Sequence, residues 1–163
     1  MAFASKSSLN LPAKLLIAVA LFATLGACGG RTKKVINPPR ASMQELAAQA
    51  NGQWKLSVRL QNFSSVPTQF ASVSARLRVD GQDAGDIVLS PAVTVGPEAA
   101  DVVSTTITPA LAAKVTVASA LAAGRPVRYT LVGRIVTSEP RGDTPFEYES
   151  ALNPAPGLNG VMR

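Results

Sequence analysis

An antiparallel β-sandwich with one short helix is what this sequence predicts, on three observations. Apolar and polar residues alternate with a period of two through most of the chain beyond residue 50. The alternating runs are short and are separated by Gly, Pro and Asp-Gly turn signals. Only one stretch changes clearly to helical spacing, and it carries its own start and stop signals. Strands that bury one face, wet the other and are joined by tight turns satisfy themselves by packing as two facing sheets.

The elements follow in chain order. "WKLSVRLQN" sets Trp54, Leu56, Val58 and Leu60 against Lys55, Ser57, Arg59 and Gln61, the pattern of a half-buried strand. "SVSARLRVDG" repeats it, with Val73, Ala75, Leu77 and Val79 inward and Ser74, Arg76 and Arg78 outward. Phe70 falls out of phase with that set, which predicts a bulge near Ala71–Ser72. Asp80-Gly81 is a tight-turn dipeptide. "AGDIVL" and "ADVVSTTI" are shorter strands separated by the Pro91 and Gly96-Pro97 loop.

"TPALAAKVTVASALAAG" breaks the rhythm. Thr108 stands as N-cap, Pro109 at the first helical position and Gly124 just past the end. Leu111, Val115, Ala118 and Leu121 or Ala122 form its expected core-facing stripe. "PVRYTLVGRIVTS" then alternates Val127, Tyr129, Leu131, Gly133 and Ile135 against Arg128, Thr130, Val132 and Arg134. "TPFEYESAL" closes the series with Phe146 and Tyr148 on one face and Glu147 and Glu149 on the other. The segment 41–48 supports two readings. "SMQELAAQ" has the capping-box pair Ser42 and Glu45, but it is short for a helix and a sandwich needs that sheet edge filled; a strand is expected.

The N-terminus has a different logic. Lys6 and Lys14 precede the eleven-residue apolar run Leu15–Leu25, too short for a comfortable bilayer span and of the length of a secretory leader. It ends in Leu25-Gly26-Ala27-Cys28, and Cys28 is the only cysteine, so no disulfide forms within the chain. This run resembles the bacterial lipobox, which implies diacylglyceryl attachment to the Cys28 thiol and cleavage that leaves Cys28 first in the mature chain. Gly29 in the next position resembles the class sorted to the outer membrane, facing the periplasm, if the cell is Gram-negative. Residues 1–27 are thus expected as signal peptide and 28–40 as a basic, Gly- and Pro-containing linker. Residues 41–153 are expected as the sandwich and 154–163 as a tail.

Charge is segregated accordingly. Of sixteen basic residues, six precede residue 41; from Ala41 to Arg163 ten basic residues face ten acidic ones. A body of zero net charge offers no general field for phosphate backbones, so nucleic acid is not expected as a partner. Histidine is absent, which removes the commonest general base and metal ligand. No Ser-x-x-Lys pair exists, and zinc would meet only carboxylates. Asp80, Asp83 and Asp86 recur every third residue, unlike the alternate positions of an EF-hand loop, and are read as turn residues. Glu147 and Glu149 are read as a solvated face, and Arg141-Gly142-Asp143 as a turn after Pro140. No enzyme, cofactor or metal is expected.

The order of short motifs carries a family resemblance. Leu60-Gln61-Asn62 through Pro67 comes first, then Val79-Asp80-Gly81 with Gly85, and then a Gly-Pro loop and a helix. Tyr129-x-Leu131-x-Gly133 and Pro145-Phe146 complete it. Across residues 38–152 this resembles the late embryogenesis abundant (LEA) type 2 domain, also called the water stress and hypersensitive response (WHy) domain. The family's Asn-Pro-Asn stands here as Asn62-Phe63-Ser64, a departure. The resemblance implies an immunoglobulin- or fibronectin-III-like β-sandwich and a non-enzymatic, stress- or desiccation-related role, here at a membrane surface. The alternative is an adaptor docking another envelope protein complex or an anionic cell-wall or lipid component. Arg59, Arg76, Arg78, Arg128 and Arg134 are outward strand residues that keep the sheets soluble and discourage edge pairing. Those sharing a sheet would also form a basic patch for anionic envelope material, because guanidinium holds phosphate or carboxylate in bidentate fashion.

Overall fold

The computed structural model describes residues 33–163; the leader, the lipobox-like run and Cys28 lie outside the described residues. Nine strands and one helix follow in order. They are β1 (Arg40–Ala48), β2 (Trp54–Gln61), β3 (Thr68–Val79), β4 (Gln82–Leu89), β5 (Val93–Val95), β6 (Ala100–Ile107), α1 (Leu111–Ala123), β7 (Val127–Glu139), β8 (Arg141–Leu152) and β9 (Val161–Met162). They form two antiparallel sheets, ordered β6-β2-β1-β9 and β4-β3-β7-β8, with β5 pairing the first residues of β3. The expected sandwich is the observed one.

Alternation places the core as expected. Trp54, Leu56, Val58 and Leu60 of β2 face Val73, Leu77 and Val79 of β3 and Tyr129, Leu131 and Ile135 of β7, all buried between the sheets. Asp80 and Gly81 make the β3–β4 turn with positive φ values of 45° and 79°, the twist that a two-residue hairpin requires. The β3–β7 ladder slips between Gln69 and Ser72, so the bulge anticipated from the phase of Phe70 is present and Phe70 is fully buried. Gly133 lies opposite Ala75 in that ladder; a Cβ there would stand 2.0 Å from the Ser74 carbonyl oxygen. Only glycine admits so close an approach of the two backbones.

β1 is the expected strand, with one irregularity. Its pairing with β2 skips between Met43 and Glu45, so a bulge at Gln44 moves the buried positions from Ala41 and Met43 to Leu46. Met43 and Leu46 are three residues apart, a helical spacing produced here by a strand irregularity.

The helix forms with a different start and a different inner face from those expected. Thr108 is not the N-cap and Pro109 is not helical; the cap is Ala110, in extended conformation with no side-chain cap bond. Its N–H reaches the Ala84 carbonyl of β4 while its own carbonyl accepts the first helical bond from Lys114. The connection from β6 to the helix, which meets β4 at Ala84, consumes Thr108 and Pro109. The buried stripe is Ala113, Val117 and Ala120, whereas Leu111 and Val115, two members of the expected one, are 77% and 58% exposed. Ala113 and Ala120 on either side of Val117 let the helix approach the sheet, Leu121 of the expected stripe packs partly against the core, and Leu111 and Val115 are turned outward. At the other end Gly124 closes the helix in left-handed conformation, with Gly124 and Arg125 N–H groups returning to Leu121 and Ala120.

Both ends of the body extend beyond the expected limits. The segment 154–163 is not a free tail: β9 pairs with β1 at Leu46 and Ala47, Met162 is fully buried, and Arg163 pairs with Glu45 at 2.8 Å. The last residues of the expected linker are likewise held. Val35 N–H bonds Ser65 Oγ at 2.8 Å, Ser65 N–H bonds the Val35 carbonyl at 2.9 Å, and Asn37 N–H bonds Ser64 Oγ at 3.0 Å.

Candidate functional site

Period two fixes where the five arginines go. Arg76 and Arg78 on β3 and Arg128 and Arg134 on β7 share the outer face of the β4-β3-β7-β8 sheet. Arg59 stands on β2 in the other sheet, between Ser42 and Val102. The four are not a bare basic patch, because β4 and β8 interleave carboxylates with them. Arg76 is hydrogen-bonded to Asp83 and lies 3.7 Å from Asp86. Arg134 holds Asp143 through two contacts of 2.8 and 2.9 Å, in bidentate fashion. Glu147 and Glu149 occupy outward positions on β8 of the same face. The Arg76 guanidinium holds the Asp83 carboxyl below its ordinary range, and Arg134 does the same to Asp143. The face is a ladder of mixed charge.

The acidic residues singled out as a calcium alternative are spent on this architecture. Asp80 accepts the Arg128 N–H at 2.9 Å and the Arg125 guanidinium at 3.2 Å, tying the β3–β4 turn to the start of β7. Asp83 also accepts the Gly85 N–H at 3.1 Å. Among the described residues no three carboxylates gather as a cation site. The turn Arg141-Gly142-Asp143 likewise uses its aspartate internally, on Arg134.

Two buried polar groups that sequence reasoning did not single out as structural organise the body. Asn62, at 1% exposure, donates its amide to the carbonyls of Val66, Val95 and Gly96 and accepts the Ser64 N–H at 2.8 Å. It thereby clamps the β2–β3 loop to the β5–β6 loop. The Tyr129 hydroxyl crosses between the sheets to the β1 bulge, accepting the Met43 N–H at 3.1 Å and donating to the Met43 carbonyl at 3.2 Å. Burial pushes its phenol up to about 12. A lone Tyr at an inward strand position carries no sign in sequence that its partner is a backbone group 86 residues away.

The two ends of the sandwich differ. One carries α1, the β1–β2 turn and the β3–β4 turn. The other carries the incoming segment 33–39, the β2–β3 and β5–β6 loops and the β7–β8 turn. At this second end Val35 and Ile36 are 46% and 63% exposed. Beside them a cavity of about 210 Å³ opens between Ile36, Pro38 and Pro39 on one side and Pro140, Arg141 and Thr144 on the other. Arg40 lies over the rings of Phe63 and Tyr148, at 5.1 and 5.7 Å from their centroids.

Similarity to known proteins lies at the level of fold. The chain is similar to the solution structure of AT1g01470 from Arabidopsis thaliana, with a TM-score of 0.54 and 12% identity over 78% of this chain and 88% of that one. A solution structure of a candidate late embryogenesis abundant (LEA) protein, At2g46140.1, aligns with a TM-score of 0.44 and 14% identity, covering 88% of this chain and 86% of the other. A crystal structure of an Archaeoglobus fulgidus protein gives a TM-score of 0.40 at 14% identity, over 74% and 98% of the two chains. No family model matches the chain, and no curated protein matches it.

Proposed function

We propose that this chain is a non-enzymatic lipoprotein of the cell envelope, anchored through Cys28, whose sandwich is a LEA type 2-like stabilising or binding module. One observation carries the reading: a lipobox-like leader, Leu25-Gly26-Ala27-Cys28, joined to a sandwich of the fold seen in AT1g01470. Each buried methylene of an acyl chain contributes about 0.8 kcal/mol, and two or three chains make attachment durable. The anchor is tested by labelling cells with a radioactive or clickable fatty acid. The wild-type chain takes the label and Cys28→Ser does not; equal labelling of both sinks the anchor. The module's role is tested by drying a labile enzyme with the purified sandwich. Recovery no better than with the same mass of albumin rejects the stabilising role.

The adaptor reading has an observation of its own. Leu111 and Val115 stand exposed one turn apart on α1, an apolar helix face beside Lys114 and Thr116. A stoichiometric envelope partner that is lost on Leu111→Ser with Val115→Ser, while the far-ultraviolet spectrum and melting temperature stay put, would favour this reading over the stress role.

A further inference from the structure

The end of the sandwich that receives the incoming chain has the composition of a surface that meets lipid. Residues 35–37 are fastened to the body. Hydrogen bonds from Val35 and Asn37 to the β2–β3 loop fix the backbone on both sides of Ile36, and an Asn37 amide bond to the Phe63 carbonyl, at 2.8 Å, adds to them. This fastened segment nevertheless displays Val35 and Ile36 to solvent. Lys33 and Lys34 immediately precede them.

Charge at this end points the same way. Its loops and adjoining strand ends carry Lys33, Lys34, Arg40 and Arg141 against Glu98, Asp101 and Glu139. None of those four cations is ion-paired among the described residues, in contrast to Arg76 and Arg134 on the sheet face. Only five residue-to-residue steps separate Cys28 from Lys33. Fully extended they reach at most about 18 Å. An acyl chain on Cys28 would therefore keep this end close to the headgroups.

We propose that this end of the sandwich lies against an anionic lipid surface, with Val35 and Ile36 in the interface and Lys33, Lys34 and Arg141 on the headgroups. The proposal rests on the reading of Cys28 as the anchor and adds an orientation to it. The body stands on this end, and α1 with the β1–β2 turn projects away from the bilayer, where a partner would find Leu111 and Val115.

The test uses residues 29–163, which include the whole compact unit Lys34–Arg163 with its core and contain no cysteine. Single variants Ile36→Cys and Ala50→Cys, the second in the β1–β2 turn at the far end, are labelled with an environment-sensitive dye. They are then mixed with vesicles of phosphatidylglycerol and phosphatidylcholine, or of phosphatidylcholine alone. The expected result is a blue shift at position 36 only, with the anionic vesicles only. Replacing Lys33 and Lys34 by Gln should weaken partitioning on the order of 5-fold per lysine. No shift at position 36 with anionic vesicles, equal shifts at 36 and 50, or binding that survives loss of both lysines overturns the proposal. A concentration-dependent shift at 36 without vesicles also overturns it, in favour of a second copy of the chain. Failure of the anchor itself is read on a different molecule: a full-length wild-type chain that takes no fatty-acid label removes the basis of the orientation whatever the vesicles show.

Discussion

The two faces of the β4-β3-β7-β8 sheet are built from the same strands and treat polar groups in opposite ways. On the inner face the single hydroxyl of Tyr129 serves one backbone position, Met43, with both of its hydrogen-bonding roles. On the outer face of the same sheet, Arg76 of β3 and Arg134 of β7 meet carboxylates that water also solvates, with side chains about half exposed. Distance from water, more than the number of contacts, decides what each is worth. A buried donor or acceptor deprived of its partner suffers its full desolvation penalty, while an exposed ion pair exchanges one partner for water.

The sharpest way to break the comparison is on the inner face at Gly133. Gly133→Ala places a methyl group against the Ser74 carbonyl and the Ala75 backbone of the neighbouring strand, with no flexible side chain to yield. A loss of about 3 kcal/mol or more is expected, at the upper end of overpacking effects. Urea unfolding measures it, and an unchanged midpoint would show that the ladder can part without cost.

Tyr129→Phe comes next. The Met43 N–H and C=O lose their partner inside the body, and a loss of about 1–3 kcal/mol is expected from the same unfolding assay. The same residue makes a pH prediction with a defined sign. The phenol is raised from 10.0 to about 12 in the folded chain by burial, so the fold binds that proton more tightly than the unfolded chain does. This contribution is complete below pH 10 and is lost as the pH rises from there through about 12. Alkaline melting should therefore fall more steeply in wild type than in Tyr129→Phe over that range. Parallel curves would mean that the hydroxyl is not buried.

The smallest effect belongs to the outer face. Arg76→Gln and Arg134→Gln should shift the melting temperature by no more than about 2 °C at neutral pH. The shift should shrink further in high salt. Asp83 and Asp143 are held below their ordinary range by these arginines. What stability they add is present above the ordinary carboxylate range and fades as the pH falls through their lowered values. A large loss of stability in either variant would put the ladder among the determinants of the fold.

How much of this was legible in sequence follows the same division. Alternation located the inner residues of β2, β3 and β7 because a period of two is a local property of the chain. The Asp80-Gly81 turn and the bulge beside Phe70 were legible for the same reason. β1 was ambiguous because Ser42 and Glu45 form a capping-box pair in a segment whose strand pairing is set by the distant β2 and β9. The face of α1 was misread because Ala-rich helices are apolar all round, and which side faces inward depends on how near β4 allows the helix to come. The clamp of Asn62 and the reach of Tyr129 to Met43 join residues far apart in the chain, which no local pattern reports. The outward arginines were found correctly. That carboxylates on β4 and β8 would stand among them depended on strand order.

The sequence by itself determined the class of fold, the inward residues of its long strands, the turn chemistry and the concentration of net positive charge in the first forty residues. Each of these depends on neighbours within a few positions, where backbone geometry and side-chain type act directly. Tertiary structure alone decided which charges are paired and which are left free. It also decided that the segment 154–163 returns to the sheet beside β1, and that Val35 and Ile36 are fastened yet exposed. Those outcomes depend on which distant strands lie side by side, and a strand's edge and outer face look the same in sequence whatever neighbour the fold provides.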